Sequence, residues 1–143
     1  MKSQTMESQT TKSQTTKSQT MKSQKSKSLP DSFSHAWHGI RHAVAQERNF
    51  KIHIVMALAA VVLCIVLPVD TVHSFMVVYA VFFVLCMELI NTAVEATIDL
   101  YCGKTLSPLA KIAKDCCAGA VLLASIQAVL VAVIVGYHVI SRL

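Results

Sequence analysis

Charged residues are missing from three long stretches of the sequence, residues 54–69, 71–87 and 116–141. The hydrocarbon core of a bilayer is about 30 Å thick, and a helix needs roughly 20 residues to cross it. The third stretch reaches that length alone, and the first two reach it with their flanks. The pattern predicts an all-α membrane protein with three transmembrane helices and argues against a water-soluble globular protein.

A basic folded surface is missing as well. Of the 13 basic and 8 acidic residues, six lysines and one glutamate lie in residues 1–28. Residues 29–143 are therefore neutral, although the whole chain has a formal charge of +5. Because a nucleic-acid-binding fold needs basic residues on its folded body, nucleic acid is not an expected partner.

The sequence also lacks paired-cysteine motifs and glycine-rich phosphate loops. Its five cysteines include no CxxC pair, and four of them lie in apolar runs, where cysteine behaves as a small hydrophobic residue. Neither disulfide bonds nor a zinc site are predicted from them. No P-loop or glycine-rich kinase loop occurs, so structural ion pairs stay open as an alternative to nucleotide chemistry for the charged residues.

Residues 1–28 are predicted to be a disordered low-complexity tail, because residues 1–25 consist of five pentapeptides such as MKSQT. A period of five places successive lysines about 140° apart on a helix, and few apolar residues are present to offset the entropy of ordering. No apolar segment follows the lysines, so a signal peptide is not expected. Weak attraction to anionic lipid is the alternative role. Residues 29–143 are predicted to form one membrane-embedded domain.

Residues 33–50 are predicted to form an amphipathic helix at the membrane surface. Its apolar face carries Phe33, Trp37, Ile40 and Val44. Aromatic residues opposite basic ones are typical of a helix lying in the membrane interface. A solvated polar face accounts for three histidines whose helical spacing also allows metal ligation, His35, His38 and His42.

The three spans have recognisable ends. Pro68 stops the first span, and Ser107 followed by Pro108 is typical of a helix N-cap. The predicted spans are about Ile52–Leu67, a second that follows the 69–71 link and ends at Leu100, and about Pro108–Ile140. Lysine and arginine are concentrated before the first span and after the second. The amino terminus and second loop are therefore predicted to be cytoplasmic in a multi-pass cell-membrane protein.

Small residues recur at every fourth position of the third span, at Ala120, Ala124, Ala128, Ala132 and Gly136. In lipid such a stripe lets helix backbones approach closely, and Gln127 adds an amide that would seek a partner there. Since three helices alone cover little polar surface, the pattern favours a homo-oligomer. Alanines facing lipid are the alternative.

The second span carries a polar stripe, which consists of Glu88, Asn91, Glu95 and Asp99. At 100° per residue these side chains fall within about 80° of one another. A carboxylate at membrane depth costs about 2.5–3.5 kcal/mol on insertion scales, so the stripe is expected to face protein, a cation or water. Glu88 lies about 26 Å along the helix from its entry near Thr71, close to the predicted cytoplasmic edge.

Further charged residues are predicted on the same side, namely Glu47, Lys111, Lys114 and Asp115. Carboxylates bind Mg²⁺ with few protein ligands and leave positions for phosphate oxygens, while lysine offsets phosphate charge. A carboxylate slightly deeper than the metal could take a proton from a lipid hydroxyl. The pattern suits phosphoryl transfer from ATP at the interface, and its alternative is structural ion pairs such as Lys111 with Asp115.

At these residues the sequence resembles the prokaryotic diacylglycerol kinase and undecaprenol kinase family, in its Gram-positive-type branch. The resemblance rests on ELINTAVEATIDL (88–100), SPLAKIAKDCCAGAVLL (107–123) and FSHAWHGIRHAVAQERNFKIH (33–53). It extends over about residues 33–140, and its E-x-x-N-[TS]-A-x-E-A stretch with a downstream A-K-D is highly specific. It implies a homotrimer of three transmembrane helices plus a surface helix, using ATP and Mg²⁺.

The resemblance also implies roles for individual residues. Glu88 would be the general base on the lipid hydroxyl. The metal–ATP complex would be bound by Glu47 and Glu95, and the nucleotide would be further supported by Asn91, Asp99, Lys114 and Asp115. The tail has no counterpart in the family, and an arginine that precedes the surface helix in the proteobacterial branch has no clear match here.

The branch of the family that the sequence resembles favours one lipid alcohol as the substrate. NFKIH (49–53) and SPLAKIAKD (107–115) look like members that mainly phosphorylate undecaprenol, so undecaprenol is favoured and diacylglycerol is the alternative. An ion-conducting protein would need a continuous polar path, but the outer half of the second span offers only His73, Ser74 and Tyr79. A non-enzymatic assembly subunit is the remaining alternative.

Overall fold

A computed structural model describes residues 28–103, 105 and 107–142 of the 143-residue chain. Over these residues the protein is all-α, with no strand and four helices: α1 (Leu29–Gln46), α2 (Arg48–Val66), α3 (Thr71–Cys102) and α4 (Pro108–Ile140). The predicted tail, residues 1–28, lies outside the described residues except for Ser28. Residues 28–36 belong to a different unit from Trp37 onward, so only their place in α1 is described.

Helix α1 exposes the apolar face that was predicted to lie in the membrane interface. Phe33 and Trp37 are largely exposed, whereas Ala43 near the end of the helix is buried. Asp31 lies in the first turn, where a carboxylate interacts favourably with the helix dipole. Aromatic side chains exposed on one side of a helix suit a position in which lipid covers them.

The surface helix ends earlier than the sequence predicted. The expectation of one helix over residues 33–50 was wrong, because α1 stops at Gln46 and Glu47 has an extended backbone, with φ −91° and ψ 117°, before α2 begins. No proline or glycine marks this break. It separates the surface helix from the first span. Lys51 Nζ donates a 2.9 Å hydrogen bond to the Ala45 carbonyl, which satisfies an acceptor left unpaired where α1 ends.

Helices α2, α3 and α4 are each long and apolar enough to cross a membrane, which confirms the three predicted spans. The 19 residues of α2 extend about 28 Å, and the 32 residues of α3 about 48 Å. A bilayer core is about 30 Å thick. Helix α3 is therefore long enough to cross the core and still carry polar residues beyond it.

The connection between α3 and α4 follows the predicted turn chemistry. Helix α3 continues two residues past Leu100 and is followed by Gly103, whose φ of 60° is a backbone conformation that glycine adopts easily. Ser107 Oγ accepts a 3.2 Å hydrogen bond from the backbone N–H three residues on. Pro108 occupies the first helical position of α4, as its spacing from Ser107 predicts.

Helix α3 packs against α4 over a long interface and against α2 over a shorter one. The buried apolar side chains of α3 and α4 are small or β-branched, and they include Val77, Ala80, Val84, Val121 and Ala124. Such side chains let helix backbones approach closely in lipid. Most of the large apolar side chains on these helices remain exposed, so lipid or another protein surface has to cover them.

Candidate active site

The polar stripe of α3 runs from a buried end to an exposed end. Glu88 is 2% exposed and Asn91 9% exposed, whereas Glu95 is half-buried and Asp99 is exposed. Asn91 Nδ2 donates a 3.2 Å hydrogen bond to Glu95 Oε1, one helical turn further on. A carboxylate as buried as that of Glu88 requires polar or charged neighbours.

Helix α2 and the α1–α2 joint supply these neighbours. The ionisable groups whose charges act on Glu88 are His53 of α2, Glu47 in the joint and Glu95 on α3 itself. Residues from three separate parts of the sequence therefore act electrostatically on one buried carboxylate. Together with Glu88 itself, Glu47 and Glu95 are three of the residues that were predicted from the sequence to form the site.

Glu47 reaches this position from an unusual place in the chain. It precedes the first residue of α2, but its side chain makes no capping hydrogen bond to that helix, and it is half-buried. Because its backbone is extended, its side chain is not restricted to a face of α1 or α2. The break that shortens the surface helix is thus also what sets the direction of this carboxylate.

His53 is a neighbour of Glu88 that the sequence reasoning did not single out. It is half-buried on α2, six residues after Glu47. One signal was available, since a titratable imidazole at the start of an apolar span is unfavourable in lipid and has to face protein or water. His53 lies in the NFKIH segment (49–53), but the sequence reasoning assigned it no role.

The cytoplasmic ends predicted for α3 and α4 are joined by an ion pair. Lys114 Nζ lies 2.6 Å from Asp99 Oδ1 and donates a hydrogen bond to it. Asp115 and Lys111 are exposed, and the structure contains no ion pair between them. The alternative of a structural Lys111–Asp115 pair is therefore not realised, and Lys114 pairs across helices instead.

The side chains of the candidate site carry the oxygen donors that a hard divalent cation prefers, although the three glutamates do not lie close enough together to form a ready-made ligand cluster among the described residues. Mg²⁺ prefers oxygen ligands and needs only one or two protein carboxylates when phosphate oxygens complete its coordination. Glu47 and Glu95 supply carboxylates, and Asn91 Oδ1 is a buried oxygen with no hydrogen-bond partner. An orphaned buried acceptor is rare in proteins, and a cation beside it would satisfy it.

A groove in the membrane region, which shares His53 with the candidate site, lacks the polar path that conduction requires. It has a volume of about 430 Å³. Its lining comes from α2, α3 and α4 and is apolar except for His53 and Ser125. The three histidines of α1 that were interpreted as part of a solvated polar face, His35, His38 and His42, are exposed, and they form no ligand cluster in the described part of the chain.

Comparison with known proteins supplies the family. The model of the family described as prokaryotic diacylglycerol kinase matches residues 34–136, a range that contains every residue of the candidate site. A diacylglycerol kinase of Synechocystis sp. is 43% identical over 100 residues, which cover 70% of this chain and 57% of that protein. The chain thus matches little more than half the length of this relative.

Two further relatives match most of their own length. An undecaprenol kinase of Bacillus subtilis is 38% identical over 90 residues, which cover 63% of this chain and 72% of that protein. A diacylglycerol kinase of Escherichia coli is 35% identical over 96 residues, which cover 67% of this chain and 78% of that protein. Because the family model matches residues 34–136, which are most of this chain, the chain belongs to the prokaryotic diacylglycerol kinase family.

Proposed function

We propose that this chain is a lipid kinase that transfers the γ-phosphate of ATP to the hydroxyl group of a membrane lipid alcohol. The observation that carries the proposal is the buried carboxylate of Glu88, which feels the charges of Glu47, Glu95 and His53, in a member of this family. No stability argument requires such a group inside a membrane helix. Phosphoryl transfer does require a base and a set of anion-binding and cation-binding groups.

Glu88 acts in this mechanism as the general base. Its carboxylate accepts the hydroxyl proton while the hydroxyl oxygen bonds to the γ-phosphorus. The bond from that phosphorus to the oxygen bridging the β- and γ-phosphates breaks, and ADP leaves. Burial of Glu88 at the deep end of the stripe suits this role, because the lipid hydroxyl approaches from the membrane and the nucleotide from water.

Glu47 and Glu95 hold Mg²⁺ in this proposal, with the Asn91 oxygen beside them. Bound with ATP, the ion supplies positive charge that offsets the negative charge of the phosphates. The protein's own contribution is the fixed position of the two carboxylates. The Asn91–Glu95 hydrogen bond and the extended backbone at Glu47 support that position.

Lys114, Asp99 and Asp115 bind the nucleotide at the exposed end of the stripe. Lys114 is the cation among them, and its pairing with Asp99 holds the ammonium group near the stripe while leaving two of its three N–H donors available. A lysine so placed can hydrogen-bond a phosphate oxygen without leaving its carboxylate partner. Asp99 therefore acts on the nucleotide through Lys114.

We favour undecaprenol as the lipid alcohol, on the likeness of residues 49–53 and 107–115 to the undecaprenol-phosphorylating branch. Diacylglycerol is the second candidate, and the 43% identity with the diacylglycerol kinase of Synechocystis sp. favours it. Both alcohols present a primary hydroxyl at the membrane surface. The same catalytic groups serve either one.

We further propose a homotrimer in the cell membrane, with the amino terminus and the active site on the cytoplasmic side. The exposed apolar surfaces of α2 to α4 and the groove between them support association. Orientation is supported by the distribution of positive charge: the α2–α3 link, residues 67–70, has no lysine or arginine, whereas the opposite ends of the spans carry several.

Phosphate transfer from γ-labelled ATP to lipid in mixed micelles tests the function. Purified protein is incubated with Mg²⁺ and either undecaprenol or a diacylglycerol, with Glu88→Gln as the blank. The variant Asp31→Asn removes an exposed carboxylate of α1 and serves as a matched control. Label in undecaprenyl phosphate supports the proposal in full, and label mainly in phosphatidic acid reverses the order of substrates. No label in either lipid from a folded oligomer contradicts the kinase assignment.

A further inference from the structure

A second cluster of ionisable side chains lies at the end of the helices away from Glu88. It consists of Asp70 before α3, His73 in the first turn of α3, and His138 in the last turn of α4. His73 and Glu88 are 15 residues apart on one helix, which corresponds to about 22 Å. The cluster therefore belongs to a separate part of the molecule, and the proposed kinase chemistry does not use it.

The backbone of α3 fixes the position of the Asp70 carboxylate. Asp70 Oδ1 accepts hydrogen bonds from the N–H groups of Val72 at 3.1 Å and His73 at 3.2 Å, so the residue caps the helix. Its second oxygen, Oδ2, is directed to the two imidazoles. Hydrogen bonds from the side chain and backbone of His73 hold the pKa of Asp70 well below its usual range, so the carboxylate is ionised.

Both imidazoles direct a nitrogen to the same oxygen. His73 Nδ1 lies 2.8 Å from Asp70 Oδ2, and His138 Nε2 lies 2.9 Å from it. The two rings are stacked, with centroids 3.9 Å apart. The His73 and His138 side chains are only 20% and 23% exposed.

His138 Nε2 is an unsatisfied atom in this arrangement. It is buried and has no hydrogen-bond partner, because its short contact with Asp70 is not aligned for a hydrogen bond. A buried polar atom without an aligned partner is unfavourable. A metal ion is a partner that all three side chains could share. Each imidazole nitrogen would then donate its lone pair to the metal instead of donating a proton to the carboxylate.

We propose that Asp70, His73 and His138 form a binding site for a late first-row divalent cation of the Zn²⁺ type. Two imidazoles and a carboxylate are a ligand set that Zn²⁺ accepts, with water at the fourth position. A tetrahedral Zn²⁺ with bonds of about 2.0–2.1 Å spaces its ligand atoms by roughly 3.3 Å. The observed separations of 2.8 and 2.9 Å open by a few tenths of an ångström to admit it, and the stacked imidazole rings, with centroids 3.9 Å apart, move further apart. The ion would join the start of α3 to the end of α4.

Metal titration of the purified, chelator-treated protein in detergent tests the site. Zn²⁺ is titrated against a competing indicator in excess Mg²⁺, which occupies oxygen-ligand sites without competing for imidazole. We expect one Zn²⁺ per chain, and His73→Gln or His138→Gln should weaken its binding by about tenfold or more. His42→Gln removes an exposed histidine of α1 and should leave the affinity unchanged.

A spectroscopic version of the experiment guards against variants that fail to fold. Co²⁺ in place of Zn²⁺ should give visible bands typical of tetrahedral nitrogen and oxygen ligation, and His138→Cys, which keeps a metal ligand, should add a thiolate-to-cobalt band. Gel filtration checks that each variant keeps the oligomer size of the parent chain. Absence of Zn²⁺ binding by the parent chain, or equal affinity in the folded His138→Gln variant, overturns the proposal.

Discussion

The replacement Glu88→Gln tests the chemical role of the carboxylate at the centre of the candidate site while keeping the packing of the side chain. Glutamine has nearly the same shape as glutamate, and the site is only 2% exposed, so the neighbouring side chains keep their contacts. Burying a neutral amide is also less unfavourable than burying a carboxylate. We therefore expect the variant to insert, assemble and resist heat at least as well as the parent chain.

The expected kinetic effect is large because glutamine cannot accept the hydroxyl proton. A general base typically contributes about 10²–10⁴-fold to a rate, which corresponds to about 2.7–5.4 kcal/mol of activation free energy at 1.36 kcal/mol per tenfold change. The KM for ATP should change little, because Glu47, Glu95 and Lys114 are untouched. The predicted signature is a loss in kcat with a nearly constant KM.

Steady-state phosphorylation of the lipid, with ATP and lipid varied in turn, measures this signature. Gel filtration and a thermal melt of the same preparation show whether the oligomer is intact, and Asp31→Asn serves as the charge-matched control. A kcat within a few-fold of the parent value would refute the role of Glu88 as base. A large rise in the KM for ATP at normal kcat would assign it to nucleotide binding instead.

Three further perturbations address the rest of the site and the tail. Replacing Asn91 by Leu should lower Mg²⁺-dependent activity by about tenfold or more while changing the melting temperature by only a few degrees, because the lost Asn91–Glu95 hydrogen bond is offset by removal of the partnerless Oδ1; a large drop in melting temperature would argue against this. Asp99→Asn should shift the melting temperature by only a few degrees, since exposed ion pairs contribute little, but should raise the KM for ATP; an unchanged KM would remove Asp99 from nucleotide binding. Deleting residues 2–27 should change activity by less than about threefold if the tail is disordered, and a larger loss would give the tail a part in lipid contact or assembly.

The features of the fold that the sequence predicted are local ones. Three uncharged stretches indicated the spans, and a serine followed by proline indicated the start of α4. The clustering of Glu88, Asn91 and Glu95 could also be predicted, because all three lie on one helix and helical geometry alone gives them a common face. Such inferences need no knowledge of how the helices pack.

The features that the sequence missed depend on packing between helices. The chain between Ala45 and Arg48 has no helix-breaking residue, so local preference predicts a continuous helix there, but the change from a surface helix to a span imposes an extended residue at Glu47. His53 and the Lys114–Asp99 pair were missed for the same reason. Their partners are distant in sequence, 35 residues away from His53 and 15 away from Lys114.

The arrangement of polar groups in α3 is better explained by function than by stability. Apolar side chains at positions 88 and 91 could fill the contact between α3 and its neighbours as Val77, Ala80 and Val84 do nearer the other end. The chain instead buries a carboxylate there and leaves an amide oxygen without a partner, both of which are destabilising. Proteins retain such destabilising groups where a bound substrate or ion supplies the missing interactions. A buried base, and a metal ligand that lacks a partner in the protein alone, are what a kinase must hold ready for its substrates.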